Sequence, residues 1–298
     1  MNPRSALGAA AATLAVVGVY ATLVEPRWLR VERRTLHARS LPPALEGLRI
    51  GLLTDLHAGP TTPQGVIRRA VDALLEEAPD LVAVTGDLVD RDAELLPRMA
   101  DLLAELRPPL GLYTVPGNHD HVVGIAAWRS ALGRHRQLRD ITNASVLLHR
   151  AGARLCVAGL DDDREGHPAL HLPPAGARDF TILLAHSPDQ AERLRRAEDR
   201  VDLVLSGHTH GGQVRLPGLK APINSASRDD LYEAGVRRRP WTQVYTSRGV
   251  GNAGLPLRFF TRPEVSVLTL TAAPRRRLHH ARVSGGGRWL RPRLSAGA

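Results

Sequence analysis

Five short segments of this chain hold residues of the types that bind metal ions. In order they read Thr54-Asp55-Leu56-His57, Gly86-Asp87-Leu88-Val89-Asp90-Arg91, Gly117-Asn118-His119-Asp120, Ala185-His186-Ser187 and Gly207-His208-Thr209-His210. Carboxylate, imidazole and one amide oxygen make a mixed nitrogen and oxygen donor set, suited to divalent first-row metals such as Mn, Fe or Zn. Of the 13 histidines in the chain, five fall inside these segments, so the grouping differs from a scatter of surface histidines. The chemistry such a set supports is hydrolysis of a phosphoester. An anionic ester repels hydroxide; two cations about 3.5–4 Å apart bind a bridging water, lower its pKa and clamp the phosphate oxygens. That arrangement needs one carboxylate able to reach both ions, with neutral donors around it.

The segments lie far apart in sequence, and each follows a predicted strand. Residues 48–53 form an apolar run leading to Asp55, 81–84 lead to Gly86-Asp87, and 112–115 run into Pro116-Gly117-Asn118-His119. Residues 181–185 lead to His186 and 201–205 to Gly207-His208; 146–148 and 154–160 read as strands of a second sheet, and 243–246 and 265–270 close the domain. Short apolar runs bounded by glycine and polar residues are the pattern of buried strands. Between them lie helical stripes. Thr62-Pro63 is predicted to open a helix whose one face carries Ile67, Val71, Leu74, Leu75 and Ala78; a second stripe runs through Leu95, Leu96, Met99, Leu102, Leu103 and Leu106. Alternation of strand and helix predicts an α/β fold. Such sheets gather the loops beyond the carboxyl ends of their strands at one edge, which would bring all five segments together.

The charge is distributed unevenly. Of the net +10, residues 1–44 contribute +4 and residues 274–298 contribute +7, so residues 45–273 carry −1. An enzyme of nucleic acid would concentrate positive charge around its cleft, so this distribution argues against a nucleic-acid partner and for a body held at an anionic membrane by its ends. Residues 6–24 are 19 without a charge, about 28 Å as a helix and close to a bilayer core. A cleaved signal ending at Val19-Tyr20-Ala21 is the competing reading, but the apolar run exceeds the usual length. Arg27, Arg30, Arg33 and Arg34 follow the run and only Arg4 precedes it, which by the positive-inside rule places the body in the cytoplasm. The expected organisation is a short N-terminus 1–5, a single-pass anchor 6–24, a basic juxtamembrane linker 25–47, the catalytic domain 48–273 and a flexible basic tail 274–298. Cys156 is the only cysteine, which excludes an internal disulfide; in its apolar run it reads as a buried small hydrophobe.

The motifs resemble those of the calcineurin-like metallophosphoesterases, over about residues 48–271 and with all five blocks in the usual order. The ordered combination is what makes the resemblance specific, since a lone Asp-x-His recurs by chance. The resemblance implies a four-layer α/β/β/α sandwich with a dimetal site at the sheet edges, Mn being the first candidate ion. It implies that Asp55, His57, Asp87 and His210 bind one metal, and that Asp87 bridges to a second completed by Asn118, His186 and His208. His119 is similar to the family's non-ligand histidine, which stabilises the transition state or protonates the leaving oxygen, and Asp90 to the carboxylate that orients it. Asp120 is expected to hold its loop by hydrogen bonds. Arg91, Arg215 and Arg248 are the candidate contacts to substrate charge. His121 adjoins its motif and the Asp161-Asp162-Asp163 run follows a predicted strand, but the ligand set is complete without them; His37, His135, His149, His167 and His171 match no motif and His279-His280 lie in the tail.

A narrower likeness rests on the apolar segment, Glu25-Pro26-Arg27-Trp28 and Arg262-Pro263-Glu264. These resemble the bacterial membrane-associated branch of the superfamily, which includes phosphodiesterases and the UDP-2,3-diacylglucosamine pyrophosphohydrolases of lipid A biosynthesis. The expectation is a dimetal hydrolase of phosphoester or pyrophosphate bonds on a lipid-linked substrate at the inner membrane. An externally facing phosphodiesterase or phosphatase is the enzymatic alternative. A non-catalytic, membrane-tethered metal-binding scaffold would require a gap in the ligand set or a lost acid–base histidine, and the sequence has neither.

Overall fold

The computed structural model describes residues 3–63, 65–195, 200–216, 221 and 232–274; the expected tail, with His279-His280, lies outside them after its first residue. The chain opens with helix α1 (Pro3–Val19), which continues through one π turn (Tyr20–Val24) and one 3₁₀ turn (Glu25–Arg27). Over Leu7–Arg27 this helical stretch has 21 residues and is long and apolar enough to cross a membrane; only 6% of its most apolar stretch is buried.

The domain follows as β1 (Arg30–Ala38), β2 (Arg49–Leu53), α2 (Val66–Glu77), β3 (Leu81–Val84), α3 (Leu96–Leu103), β4 (Leu112–Thr114), α4 (Asn118–Gly133) and β5 (Leu138–Asp140). It continues through β6 (Ser145–Arg150), β7 (Ala153–Gly159), β8 (Phe180–Leu184), β9 (Leu203–Ser206), β10 (Gly235–Arg238), β11 (Gln243–Thr246) and β12 (Glu264–Ala272). Among the described residues these make two six-stranded mixed sheets, ordered β1-β12-β2-β3-β4-β5 and β10-β11-β9-β8-β7-β6. Between them the inner faces bury Leu45, Ile50, Leu52, Tyr113, Leu155, Ile182 and Leu205. The outer face of the first sheet is covered by α2, α3 and α4, through Val71, Leu74, Met99, Leu103 and Trp128. Burial on both faces explains why these strands are continuous apolar runs rather than alternating ones.

Two expectations change. Residues 25–47 are no linker: β1 lies within them and pairs in parallel with β12 along its whole length, from Arg30 opposite Glu264 to Ala38 opposite Ala272. The sequence concealed it because β1 is an edge strand that buries only Glu32, Leu36 and Ala38, and charged Arg33 and Arg34 interrupt any apolar pattern. The first domain helix starts at Val66, after Gly65 in the left-handed conformation, rather than at Pro63. Thr62 is drawn away from capping, its hydroxyl accepting from the Asn252 amide at 3.0 Å. On the outer face of the second sheet the described residues provide short 3₁₀ segments, Ala175–Ala177 and Pro188–Arg193, and loops. The crossover from β7 to β8 carries Pro168, Pro173 and Pro174, which lack the amide a helix interior requires.

Candidate metal centre

β2, β3 and β4 run parallel to one another, as do β8 and β9, and all five end at one edge of the sandwich. Their carboxyl-terminal loops interlock through the main chain. Asp55 donates its amide to Gly86 O and His57 to Asp87 O, both at 3.0 Å, extending the pairing of β2 and β3 past the sheet. From the other side Val250 and Gly251 donate to Thr54 O and Asp55 O, so the Ser247–Gly251 turn supports the first ligand loop. Close approach is what the motif glycines permit. A Cβ on Gly86 would fall inside the backbone of Gly117, and one on Gly207 would collide with the Asp55 carboxylate and the Thr54 hydroxyl. Asp55, His57, Asp87, His208 and His210 all have positive φ, between 40° and 68°. Such backbone costs about 1–3 kcal/mol per residue and persists only where the surroundings over-determine it. Here it turns five donor side chains toward one point.

The expected ligands converge in two groups, Asp55, His57 and His210 in one and Asp87, His186 and His208 in the other, each within 4.8 Å of one another; His57 also meets Asp90 and His119 in a third group at the mouth. Asp87 stands between them: its Oδ2 is 3.4 Å from His57 Nε2 and 3.2 Å from His186 Nε2. Its other oxygen accepts the His119 amide at 2.9 Å, which fixes the carboxylate's rotation. Asn118 Oδ1 lies 3.2 Å from His186 Nε2, and His208 Nδ1 lies 3.0 Å from the same atom. His57 Nε2 and His210 Nε2 face each other at 3.1 Å. Ring nitrogens set that close need a proton or a cation between them, and the buried carboxylates supply the compensating charge. The donor set therefore fits two divalent ions sharing Asp87.

Electrostatics follow from burial. Burial alone would raise the Asp87 pKa, but the charge and hydrogen bond of His186, with His57 and His119, outweigh it and hold the carboxyl well below its usual range. Burial likewise opposes a charged His186, yet Asp87 carries that imidazole up to about 10. His208 and His210 go the other way, pushed well below the ordinary histidine value by burial and then by the neighbouring His186 and His57 respectively. His186 donates Nδ1–H to Thr85 O at 2.7 Å, which leaves Nε2 as the atom facing the cluster.

His119 sits at the mouth, its side chain 23% exposed, with Nδ1 2.7 Å from the main-chain oxygen of Asp90 and 3.2 Å from that residue's Oδ1. That contact orients the ring and leaves Nε2 for whatever enters. Asp90 Oδ1 also lies 3.7 Å from His57 Nδ1, within ion-pair range and beyond a hydrogen bond. Asp120 turns inward and accepts from the amides of Asp87 (2.7 Å), Leu88 and Gly117 (both 3.0 Å), tying the second and third loops together. Burial, then the charge of Asp87, raises its pKa to about 7.

The three candidate arginines separate. Arg91 is exposed, with its charge close enough to favour the ionised form of Asp90. Arg215 and Arg248 are engaged by Glu233 and Glu264, each at 3.2 Å. Beside the ligand set, His121 Nε2 meets Asp161 Oδ1 at 2.6 Å, so that carboxylate holds a loop. Sequence reasoning missed Arg258. It is fully buried, donates to the carbonyls of Arg248, Gly249, Gly251 and Thr261, and sets Nη2 3.2 Å from His210 Nδ1. Burial lowers its pKa to about 10, which leaves it charged at neutral pH.

Comparison with known proteins agrees with this geometry. The family model for calcineurin-like phosphoesterases matches residues 48–212. An uncharacterised metallophosphoesterase of Bacillus subtilis, YkuE, is 33% identical over 89% of this chain and 93% of its own length. The phosphodiesterase YaeI of Escherichia coli is 31% identical over 91% of this chain and 99% of its own. A bovine transmembrane protein with a metallophosphoesterase domain is 33% identical over 88% of this chain, which spans 61% of that longer protein.

Proposed function

The chain belongs to the calcineurin-like phosphoesterase family, a metal-dependent phosphoester hydrolase, and from that premise we propose that it cleaves a phosphoester or pyrophosphate bond of a lipid-linked substrate at the membrane surface. The substrate class we favour resembles UDP-2,3-diacylglucosamine. The observation that most supports the chemistry is Asp87 Oδ2, placed within 3.4 Å of one ligand group and 3.2 Å of the other. Asp55, His57, Asp87 and His210 would hold one ion, and Asp87, Asn118, His186 and His208 the second, with Mn favoured. When bound, the pair supplies a water acidified enough to attack phosphorus at neutral pH. The protein's own residues do the rest. His119, oriented by Asp90, would present Nε2–H to the leaving oxygen, and Arg91 would meet a non-bridging phosphate oxygen.

Support for the membrane comes from the 21-residue apolar helix and from the basic ends around a nearly neutral body. The excess of arginine after the helix favours a cytoplasmic body at the inner membrane; a reporter fused at residue 298 that is active only outside the cytoplasm would give the opposite side. Metal analysis of the purified chain should find about two divalent ions. Asp87→Ala should lose both metal and turnover of a chromogenic phosphodiester with Mn²⁺, and full activity in that variant would end the hydrolase reading.

A further inference from the structure

We propose that the sheet edge carrying the metal centre is also the face that lies against the bilayer, so that the centre opens onto lipid headgroups. This rests on the membrane-anchored hydrolase reading and adds where the membrane sits.

Strand directions carry the first part of the argument. β2 ends at the ligand edge, and β12 runs antiparallel to it with Ser266 opposite Leu52, so β12 begins at that edge. β1 runs parallel to β12 and therefore begins there too. The apolar helix thus enters the domain beside the metal centre and not at the far end of the sheets. The joint is clamped. Glu25, fully buried, accepts the Phe260 amide at 2.9 Å and the Thr261 amide as well. The Arg258 amide donates to Ala21 O at 2.9 Å, and the Tyr20 ring meets Phe259 edge-on at 6.2 Å. Arg258 links the two, its amide on Ala21 O and its Nη2 3.2 Å from Nδ1 of the ligand His210. A domain joined this way cannot swing freely beneath its anchor.

The second observation is independent of the helix. Beyond it and its two terminal turns, the exposed large apolar side chains among the described residues are Trp28, Leu75, Val122, Leu216, Leu255 and Phe260. Five of these six lie at the ligand edge. Trp28 lies two residues before β1, and Val122 opens the second turn of α4, three residues past His119. Leu216 follows the Gly207–His210 loop, while Leu255 and Phe260 lie in the connection from the end of β11 to the start of β12. Leu75, on α2, is the exception. Apolar side chains gathered on one rim mark a contact surface. Arg262 stacks 4.0 Å over the Trp28 ring, an aromatic and cationic pair of the kind that settles at the headgroup level. The occupant is a bilayer because the rim continues directly from a membrane-length helix.

Spin labels on the full-length chain in nanodiscs containing anionic lipid test the orientation. Cys156 is buried, and burial raises its thiol pKa, so labels introduced elsewhere are site-specific. Nitroxides at Val122→Cys, Leu255→Cys and Phe260→Cys should collide several-fold more with oxygen, and less with a water-soluble nickel complex, than one at Arg39→Cys past the opposite end of β1. Edge labels indistinguishable from the Arg39→Cys label would overturn the proposal. In a second arm, Leu255→Ser combined with Phe260→Ser should lower turnover of a bilayer-presented phosphodiester lipid several-fold while sparing a soluble diester. An equal effect on both substrates, or none on either, also counts against it. Absence of turnover in every protein would strike the hydrolase reading instead, and the label depths would still decide the orientation.

Discussion

At the scale of single residues, His119 separates catalysis from metal binding. Neither the Asp55, His57 and His210 group nor the Asp87, His186 and His208 group includes it; it converges only with His57 and Asp90, and its ring is held through Nδ1 by residue 90. His119→Ala should keep its metals and lose roughly 10²–10⁴ in turnover, the usual contribution of a positioned acid or base. Asp90→Ala should lose less, since the main-chain oxygen of residue 90, at 2.7 Å, survives the substitution. Parallel metal analysis and steady-state rates would check both; a metal-free His119→Ala protein would remove the acid–base role. The loss should shrink for esters whose leaving group needs no proton. These positions were legible because carboxylates and imidazoles next to motif glycines have few other uses. Arg258 was not legible. Nothing in Leu257-Arg258-Phe259 marks a buried cation, because the carbonyls that satisfy it come from a loop that closes only in the fold.

At the scale of elements, the helix and the domain share one structural unit through Glu25. Glu25→Ala leaves the buried Thr261 amide and the part-buried Phe260 amide without an acceptor, a loss of about 1–3 kcal/mol. Glu25→Gln, which keeps one oxygen at the site, should lose less. Thermal melting of the full-length protein in detergent would show the order wild type, Glu25→Gln, Glu25→Ala, and coincident melting curves would show that the clamp contributes nothing. Core strands were readable from the sequence because burial on two faces makes them uniformly apolar. β1 was not, because its register is imposed by β12 and its buried Glu32 is compensated by Arg30 at 2.6 Å and by Arg34, information spread over partners rather than over the strand. α4 was missed for a related reason: Gly124 breaks its helical geometry, and its first turn doubles as a ligand loop.

At the scale of the whole molecule, charge sits at the ends and chemistry in the middle, yet the boundaries differ from those the composition suggests. A protein beginning at residue 20 keeps the Glu25 clamp and β1, and should be folded, more soluble and undiminished on a soluble diester. One beginning at residue 45 lacks β1 and leaves all nine residues of β12 unpaired on that side, an open edge that invites strand pairing between molecules. Size-exclusion chromatography of the two should show a monodisperse species for the first and aggregate for the second. Equivalent profiles would mean that β1 is dispensable.

The order β1-β12-β2 has a consequence in time. Among the described residues the last strand made, β12, inserts between the first two, so a slot one strand wide must stay open while more than 200 residues between β2 and β12 are made. Until residue 264 emerges, β1 has no partner on the side where β12 will lie, and β2 presents an unpaired apolar edge. The α1 helix is synthesised before any of this. Insertion into the bilayer would therefore precede completion of the sheet, and the anchor would keep each half-built domain apart from its neighbours during the interval in which its edges are most adhesive.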